Sequence, residues 1–103
     1  MRVVAEPVDM IAVFRKRNGC RPVPYKFRYT DRYGEGVEVR VDKVLSIEDL
    51  KIGGIDTYNY TCQSLIGDML RIYVLKYFLA QARWELYKIY NLLKIYDFIV
   101  FVL

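Results

Sequence analysis

Short runs in which apolar and polar side chains alternate constrain this chain more than any other feature of its sequence. Residues 25–30 read Tyr-Lys-Phe-Arg-Tyr-Thr, and residues 37–42 read Val-Glu-Val-Arg-Val-Asp. In a strand, this alternation places Tyr25, Phe27 and Tyr29 on one face, whereas in a helix the same residues form no single stripe. A polar link with two glycines, residues 31–36, separates the runs. The pattern therefore predicts a β-hairpin whose apolar face covers a core.

The same criterion extends along the chain. Further apolar or alternating runs are bounded by Asn18-Gly19, by two prolines, by Gly53-Gly54 and by Gly67-Asp68, which are all turn or strand-end signals. We predict strands near residues 8–14, 25–31, 36–44, 56–64, 69–78 and 83–90. Proline lacks the ladder donor, so the second strand is expected to begin near Tyr25 or to run along an edge at Pro22 and Pro24. Ser46 followed by two acids predicts one capped helical turn over residues 46–51.

The length of 103 residues allows one modest core. We therefore predict one all-β domain over residues 1–90, built as a small bent antiparallel sheet or a partly open barrel, SH3-like or OB-like, of five to six strands. The alternative is an α+β fold in which residues 68–103 form one or two helices, because that stretch contains no Gly or Pro. Its charged residues spread around a helical wheel and its β-branched and aromatic residues are many, so strands are favoured.

Residues 91–103 form an apolar C-terminal extension that ends in six residues without a polar side chain. The twelve residues 92–103 are too few to cross a bilayer as a helix, which needs about twenty. The extension is predicted to pack on the domain as a strand or helix or to make an oligomer contact through residues 92–103. A membrane-surface anchor or a tail foreign to the domain are the other interpretations.

The sequence offers little catalytic chemistry. It has no His, only two Cys (Cys20 and Cys62), and none of the common nucleotide, nucleophile or zinc motifs. We therefore expect no enzyme activity, no cofactor and no metal site, and we expect both cysteines to be small buried apolar residues. The apolar stretch at the start is too short for a secretory signal, so a cytoplasmic location with reduced thiols is expected.

One segment carries a concentrated charge. Between residues 15 and 28 there are six cationic side chains and no acid, namely Arg15, Lys16, Arg17, Arg21, Lys26 and Arg28. Such a basic segment supplies phosphate contacts, and Tyr33 together with whichever of Tyr58 and Tyr60 faces outward would stack on bases. The plainer interpretation is a solvated hairpin whose charges protect a sheet edge from aggregation.

Several short stretches carry a resemblance to a group of short uncharacterised bacterial proteins, over about residues 7–89. They are Pro7-Val8-Asp9-Met10-Ile11-Ala12, Pro22, Lys26-Phe27-Arg28-Tyr29, Val41-Asp42-Lys43-Val44-Leu45, Cys62-Gln63-Ser64, Arg71-Ile72-Tyr73 and Trp84. The resemblance implies a compact, mostly β domain and implies no activity.

Two functions follow as hypotheses. The first is a non-enzymatic interaction module that binds a protein partner or itself, because tyrosine is abundant and catalytic motifs are missing. The second is nucleic-acid binding by a small β-barrel through residues 15–28. A small-ligand site inside the barrel is a third hypothesis, which requires a sizeable cavity.

Overall fold

A computed structural model describes residues 2–18 and 21–90 of the chain. These residues form seven strands and one 3-10 turn at Lys16–Asn18. The strands are β1 (Arg2–Phe14), β2 (Pro22–Thr30), β3 (Gly36–Arg40), β4 (Lys43–Ile52), β5 (Ile55–Ile66), β6 (Met69–Phe78) and β7 (Arg83–Ile89). They pair antiparallel in the order β3-β2-β1-β7-β6-β5-β4. The predicted all-β fold is confirmed, and the helical alternative is wrong for residues 69–89.

Strand β1 is the corner of this sheet. Its first half, residues 2–8, pairs with β7, and its second half, residues 9–14, pairs with β2. Because the two halves of one strand belong to differently oriented parts of the sheet, the sheet folds over itself and encloses one core. Phe27 and Val39 from the β2–β3 side pack in the same buried cluster as Tyr60, Leu75 and Leu86 from the β5–β7 side.

The two ends of the sheet approach each other but do not pair as strands. Strands β3 and β4 stand at opposite ends of the order, although only two residues of chain separate them. The Ser64 hydroxyl on β5 donates to the Arg40 carbonyl of β3 (2.5 Å), and the Asp42 amide donates to the Gln63 carbonyl (3.1 Å). The result is a strongly bent open sheet, as predicted, with seven strands in place of five or six.

The predicted hairpin of β2 and β3 is confirmed. The Asp31 carboxylate accepts hydrogen bonds from the Tyr33 amide (2.9 Å) and the Glu35 amide (3.0 Å), and Gly34 adopts a φ of +79°. An aspartate that caps its own turn and a glycine in the left-handed region are the two devices that such a link uses.

The predicted orientation of Tyr25 is wrong. In the β1–β2 ladder Ile11 pairs with Lys26 and Ala12 pairs with Pro24, so Tyr25 is an extra residue in a bulge. A bulge changes the phase of the alternation. Phe27 is therefore buried and Tyr29 partly buried as predicted, whereas Tyr25 is 48% exposed.

The predicted helical turn at residues 46–51 is also wrong, and the predicted strand at 36–44 is two strands. Ser46 does not cap a helix but pairs with Thr61 as part of β4, and this strand turns into β5 through Gly53 and Gly54. Both glycines have positive φ (58° and 80°), the requirement of a two-residue type I′ hairpin. As an edge strand exposed along most of its length, β4 shows no regular alternation by which it could be recognised.

Two strands begin earlier than predicted, at proline-containing segments. β1 starts at Arg2, and its Pro7 pairs with β7 at a point where β2 has not yet joined. β2 starts at Pro22, where β3 does not reach. In both places one side of the strand has no ladder, so a residue without an N–H is tolerated, which is the edge position expected for Pro22 and Pro24.

The buried polar groups fit their surroundings. Cys62 is fully buried, as predicted, and the Tyr60 hydroxyl donates to the Pro22 carbonyl from inside the core. The Tyr73 hydroxyl lies 2.6 Å from the Ser64 hydroxyl. Thus Tyr60 and Tyr73 satisfy their hydroxyls within the protein and not with water. The predictions for Cys20 and for residues 91–103, including the domain boundary at residue 90, fall outside the described residues.

Candidate functional site

A groove lies where the pairing between β1 and β7 ends. The β1–β7 ladder runs from the Arg2–Ile89 pair to the Val8–Trp84 pair and stops there, because β7 begins at Arg83. β1 continues for six more residues alongside β2 alone. The space left beside these six residues is a groove of about 530 Å³.

Aromatic side chains form the floor and rim of the groove. Trp84 and Tyr77 are almost completely buried, and their rings lie 4.8 Å apart between centroids. Phe14 meets Tyr77 edge-on at 6.5 Å and is 61% exposed. An exposed phenylalanine above a buried aromatic pair is an apolar docking point, since covering it removes its surface from water.

The groove also has an unpaired backbone edge. Within the described residues, no strand pairs with the second half of β1 on the side away from β2. In an antiparallel strand every second residue directs its N–H and C=O to the same side, so about three residues of this half offer both groups to the groove. Such an edge accepts an additional strand.

The structure separates the six predicted basic residues into two groups. Three of them form ion pairs with carboxylates from elsewhere in the fold: Arg21 with Asp49 (2.8 Å), Lys26 with Glu38 (3.0 Å) and Arg28 with Asp9 (3.7 Å). The Arg21 guanidinium also stacks on Tyr58, 5.1 Å from the ring centroid. Hydrogen bonding and charge from Lys26 hold the pKa of the Glu38 carboxyl below its usual value.

The other three cations stand together at one end of the groove. Arg15, Lys16 and Arg17, hereafter the basic loop, follow directly after Phe14 and are exposed. Among the described residues none of the ion pairs involves them. Of the six predicted basic residues, the three without an ion pair among the described residues therefore lie at the Phe14 end of β1, while at the other end the Asp9 carboxylate is paired with Arg28.

The predicted stacking tyrosines are only partly accessible. Tyr33 is 79% exposed on the β2–β3 turn, Tyr58 is half-buried under Arg21, and Tyr60 lies wholly in the core. Of the pair Tyr58 and Tyr60, only Tyr58 is therefore partly accessible. Alternation in β5 directs the side chain of Tyr60 inward together with Cys62 and Ser64.

Sequence reasoning missed the groove itself. Val8, Phe14, Tyr77 and Trp84 read as ordinary apolar strand residues, and nothing in their spacing shows that β7 is shorter than β1. The one local signal is a phenylalanine immediately followed by three cations.

Two observations on the described residues concern metal binding and thiol chemistry. No group of three or more His, Cys, Asp or Glu side chains lies close enough there to hold a metal ion. Burial raises the pKa of the Cys62 thiol to about 12, so this sulfur stays protonated and unreactive. In the same part of the chain no helix is long and apolar enough to cross a membrane.

Comparison with known proteins adds no identity. No family model, curated protein or solved structure matches the chain. The resemblance to short bacterial proteins is therefore untested and stays a prediction, and function rests on the geometry.

Proposed function

We propose that the protein is a non-enzymatic interaction module that binds an extended segment of a protein partner as an added strand on the free edge of β1. The observation that supports this proposal is that an unpaired strand edge (residues 9–14) and an aromatic groove lie at the same place. Main-chain hydrogen bonds supply affinity in this mode, and pockets for alternate side chains supply specificity.

Charge complementarity defines the partner further. The basic loop lies at the Phe14 end of the edge, and among the described residues it makes no ion pair. At the other end Asp9 is paired with Arg28 and Arg83 with Glu85, so no unpaired charge lies there among the described residues that line the groove. A strand added antiparallel to β1 begins near Phe14 and ends near Asp9. The favoured partner is therefore a segment in which acidic residues come first and apolar residues at alternate positions follow, with one apolar side chain between Phe14 and Trp84.

The ion pairs favour this partner over a nucleic acid. Phosphate binding through residues 15–28 would need Arg21, Lys26 and Arg28, and each of these cations already lies within 4 Å of a carboxylate. Those carboxylates would repel a phosphate backbone. Self-association through residues 92–103 concerns residues outside the described part and stays a prediction, as does the cytoplasmic location.

Fluorescence anisotropy with a labelled peptide tests the proposal. The peptide carries three glutamates followed by alternating valine and serine, and the matched control has the glutamates at the opposite end. We expect the first peptide to bind more tightly and its affinity to fall as salt rises. An oligonucleotide that binds as well as the peptide would favour the alternative function.

N-methylation of the peptide distinguishes strand addition from simple apolar docking. Methyl groups on the amides that face β1 should abolish binding, whereas methyl groups on the intervening amides should be tolerated. Equal binding of the two methylated peptides would contradict the added-strand geometry.

Variants locate the site. Phe14→Ala should weaken binding, and reversal of the basic loop to glutamate should remove the preference for the acidic peptide. Arg15→Glu, a single charge reversal within the basic loop, should weaken binding of the acidic peptide, whereas Arg32→Glu, a single charge reversal on the exposed β2–β3 turn, should leave binding unchanged. Light scattering on the same samples shows whether a second copy of the chain competes for the groove. Binding that survives both groove variants would overturn the assignment.

A further inference from the structure

A second cavity lies at the opposite end of β7 from the groove. It has a volume of about 170 Å³, and its floor consists of the core side chains Phe27, Val39, Tyr73 and Leu86. Ile89, the last residue of β7, stands on its rim. The cavity is therefore the open end of the bent sheet, where the two facing halves do not meet.

Polar and apolar groups share the lining of this cavity, and its apolar part comes from core side chains. The rings of Phe27 and Tyr73 pack 5.5 Å apart between centroids, and Leu86 is 2% exposed. Tyr73 offers no free donor, because its hydroxyl is bonded to Ser64. An apolar cavity of about 150 Å³ holds a molecule of the size of benzene. The space suits one aromatic ring or a chain of about six carbons by the same measure.

Two arginines supply charge at its mouth. Arg2 pairs with Ile89 in the β1–β7 ladder, and Arg71 lies two residues before Tyr73 on the inward face of β6. Arg71 is only partly exposed. Among the described residues neither guanidinium makes an ion pair, and no carboxylate lines the cavity.

An acidic ligand would satisfy this arrangement. A partly desolvated guanidinium without a counter-charge is unfavourable, and its planar fork of donors matches a carboxylate. Glu6, which pairs with Leu86 in the β1–β7 ladder, is exposed and does not line the cavity. Within residues 2–18 and 21–90 no carboxylate supplies this negative charge, and a carboxylate ligand would supply it.

We propose that this cavity binds a small monocarboxylate that carries one aromatic ring or a short aliphatic chain. The carboxylate lies at the mouth with Arg2 and Arg71, and the apolar group packs against Phe27, Tyr73 and Leu86. The site is separate from the peptide groove and does not depend on its occupancy.

Isothermal titration calorimetry with phenylacetate on the full chain at neutral pH tests the proposal. Phenylacetamide keeps the ring and loses the charge, and acetate keeps the charge and loses the ring. We expect phenylacetate to bind at least about tenfold more tightly than either, since hydrogen bonds to a charged group and burial of a ring are each worth that factor or more. Equal affinity for phenylacetate and phenylacetamide, or no heat from phenylacetate at millimolar concentration, would overturn the proposal.

Substitutions at the mouth assign the contact. Arg71→Gln should weaken phenylacetate binding about tenfold, and Arg71→Lys should restore part of it. Ile66→Trp on the partly exposed rim should block entry without disturbing the buried floor. Arg32→Gln and Phe14→Ala should bind as the parent protein does, so failure of the peptide groove and failure of this site are distinguishable.

The emission of the buried Trp84 reports whether each variant is folded. Unchanged phenylacetate affinity in folded Arg2→Gln and Arg71→Gln variants would refute the assignment.

Discussion

Removal of the Ser64 hydroxyl should destabilise the fold through more than one lost hydrogen bond. This hydroxyl donates to the Arg40 carbonyl (2.5 Å), so the Tyr73 hydroxyl must be the donor in the 2.6 Å contact with Ser64. Ser64→Ala leaves both the carbonyl and the buried phenol without a partner. An orphaned buried polar group costs about 1–3 kcal/mol, so we expect a loss of about 3 kcal/mol in the free energy of unfolding.

A double-mutant cycle measures the energetic coupling between Ser64 and Tyr73. Tyr73→Phe removes only one donor and leaves the Ser64–Arg40 bond in place, so it should cost about 1 kcal/mol. In the Tyr73→Phe background no phenol is left unpaired, and Ser64→Ala should then cost about 1 kcal/mol rather than about 3 kcal/mol.

Urea unfolding followed by fluorescence measures all four proteins. Trp84 is the only tryptophan of the sequence and is 6% exposed, so its emission shifts on unfolding. Ser46→Ala, on the exposed edge strand β4, is the matched control and should change stability by less than about 0.5 kcal/mol. Additivity of the two substitutions within about 0.5 kcal/mol would refute the shared-hydroxyl reasoning.

Three further outcomes are expected. Ala82 has a φ of +50°, so Ala82→Gly should raise the urea midpoint by relieving about 1 kcal/mol of strain, and a lower midpoint would count against it. Burial raises the pKa values of Cys62 (to about 12), Tyr60 and Tyr73 above the ordinary 9.0 for Cys and 10.0 for Tyr, so the folded state keeps protons that the unfolded state loses. The free energy of unfolding should keep its full value below about pH 9 and fall above it by up to about 1.4 kcal/mol per pH unit for each group. The fall should be less steep in Tyr60→Phe. Equal free energies of unfolding from urea titrations at about pH 8 and about pH 10.5 would contradict this. The Cys62 thiol should resist alkylation in the native protein and react in urea, and peptide mass spectrometry distinguishes it from Cys20. Labelling of Cys62 in the native protein would contradict its burial.

The strands that sequence predicts best are β5, β6 and β7, which contribute most of the buried core. The bounds predicted for one strand, residues 69–78, are those of β6, and the predictions for β5 and β7 differ from the observed strands by at most two residues at either end. In β5 the alternate residues Tyr60, Cys62 and Ser64 are buried, which leaves a two-residue period in the sequence. β6 is instead a nearly continuous apolar run whose residues 72–75 are all buried. Glycines at positions 53, 54 and 67 mark the two ends of β5. β4 escaped prediction because neither of its faces is consistently buried.

The candidate sites were much less predictable. The carboxylates that pair with Arg21, Lys26 and Arg28 come from β4, β3 and β1, at separations of 28, 12 and 19 residues along the chain. No local pattern of charge predicts such pairs. The concentration of cations was visible in the sequence, but its division into paired and exposed groups was not.

By itself, the sequence determined that the chain forms strands, where most of them lie and which side chains they turn inward, because the period of a strand is set by each residue's own geometry. The tertiary structure alone decided that β1 is shared between β2 and β7, that β7 stops short of Phe14, and that Arg2 and Arg71 line the same cavity. Those features arise from pairing between segments far apart in the chain. The residues beside an unpaired part of a strand have the same sequence pattern as residues beside a paired part, so the sequence does not show where pairing ends.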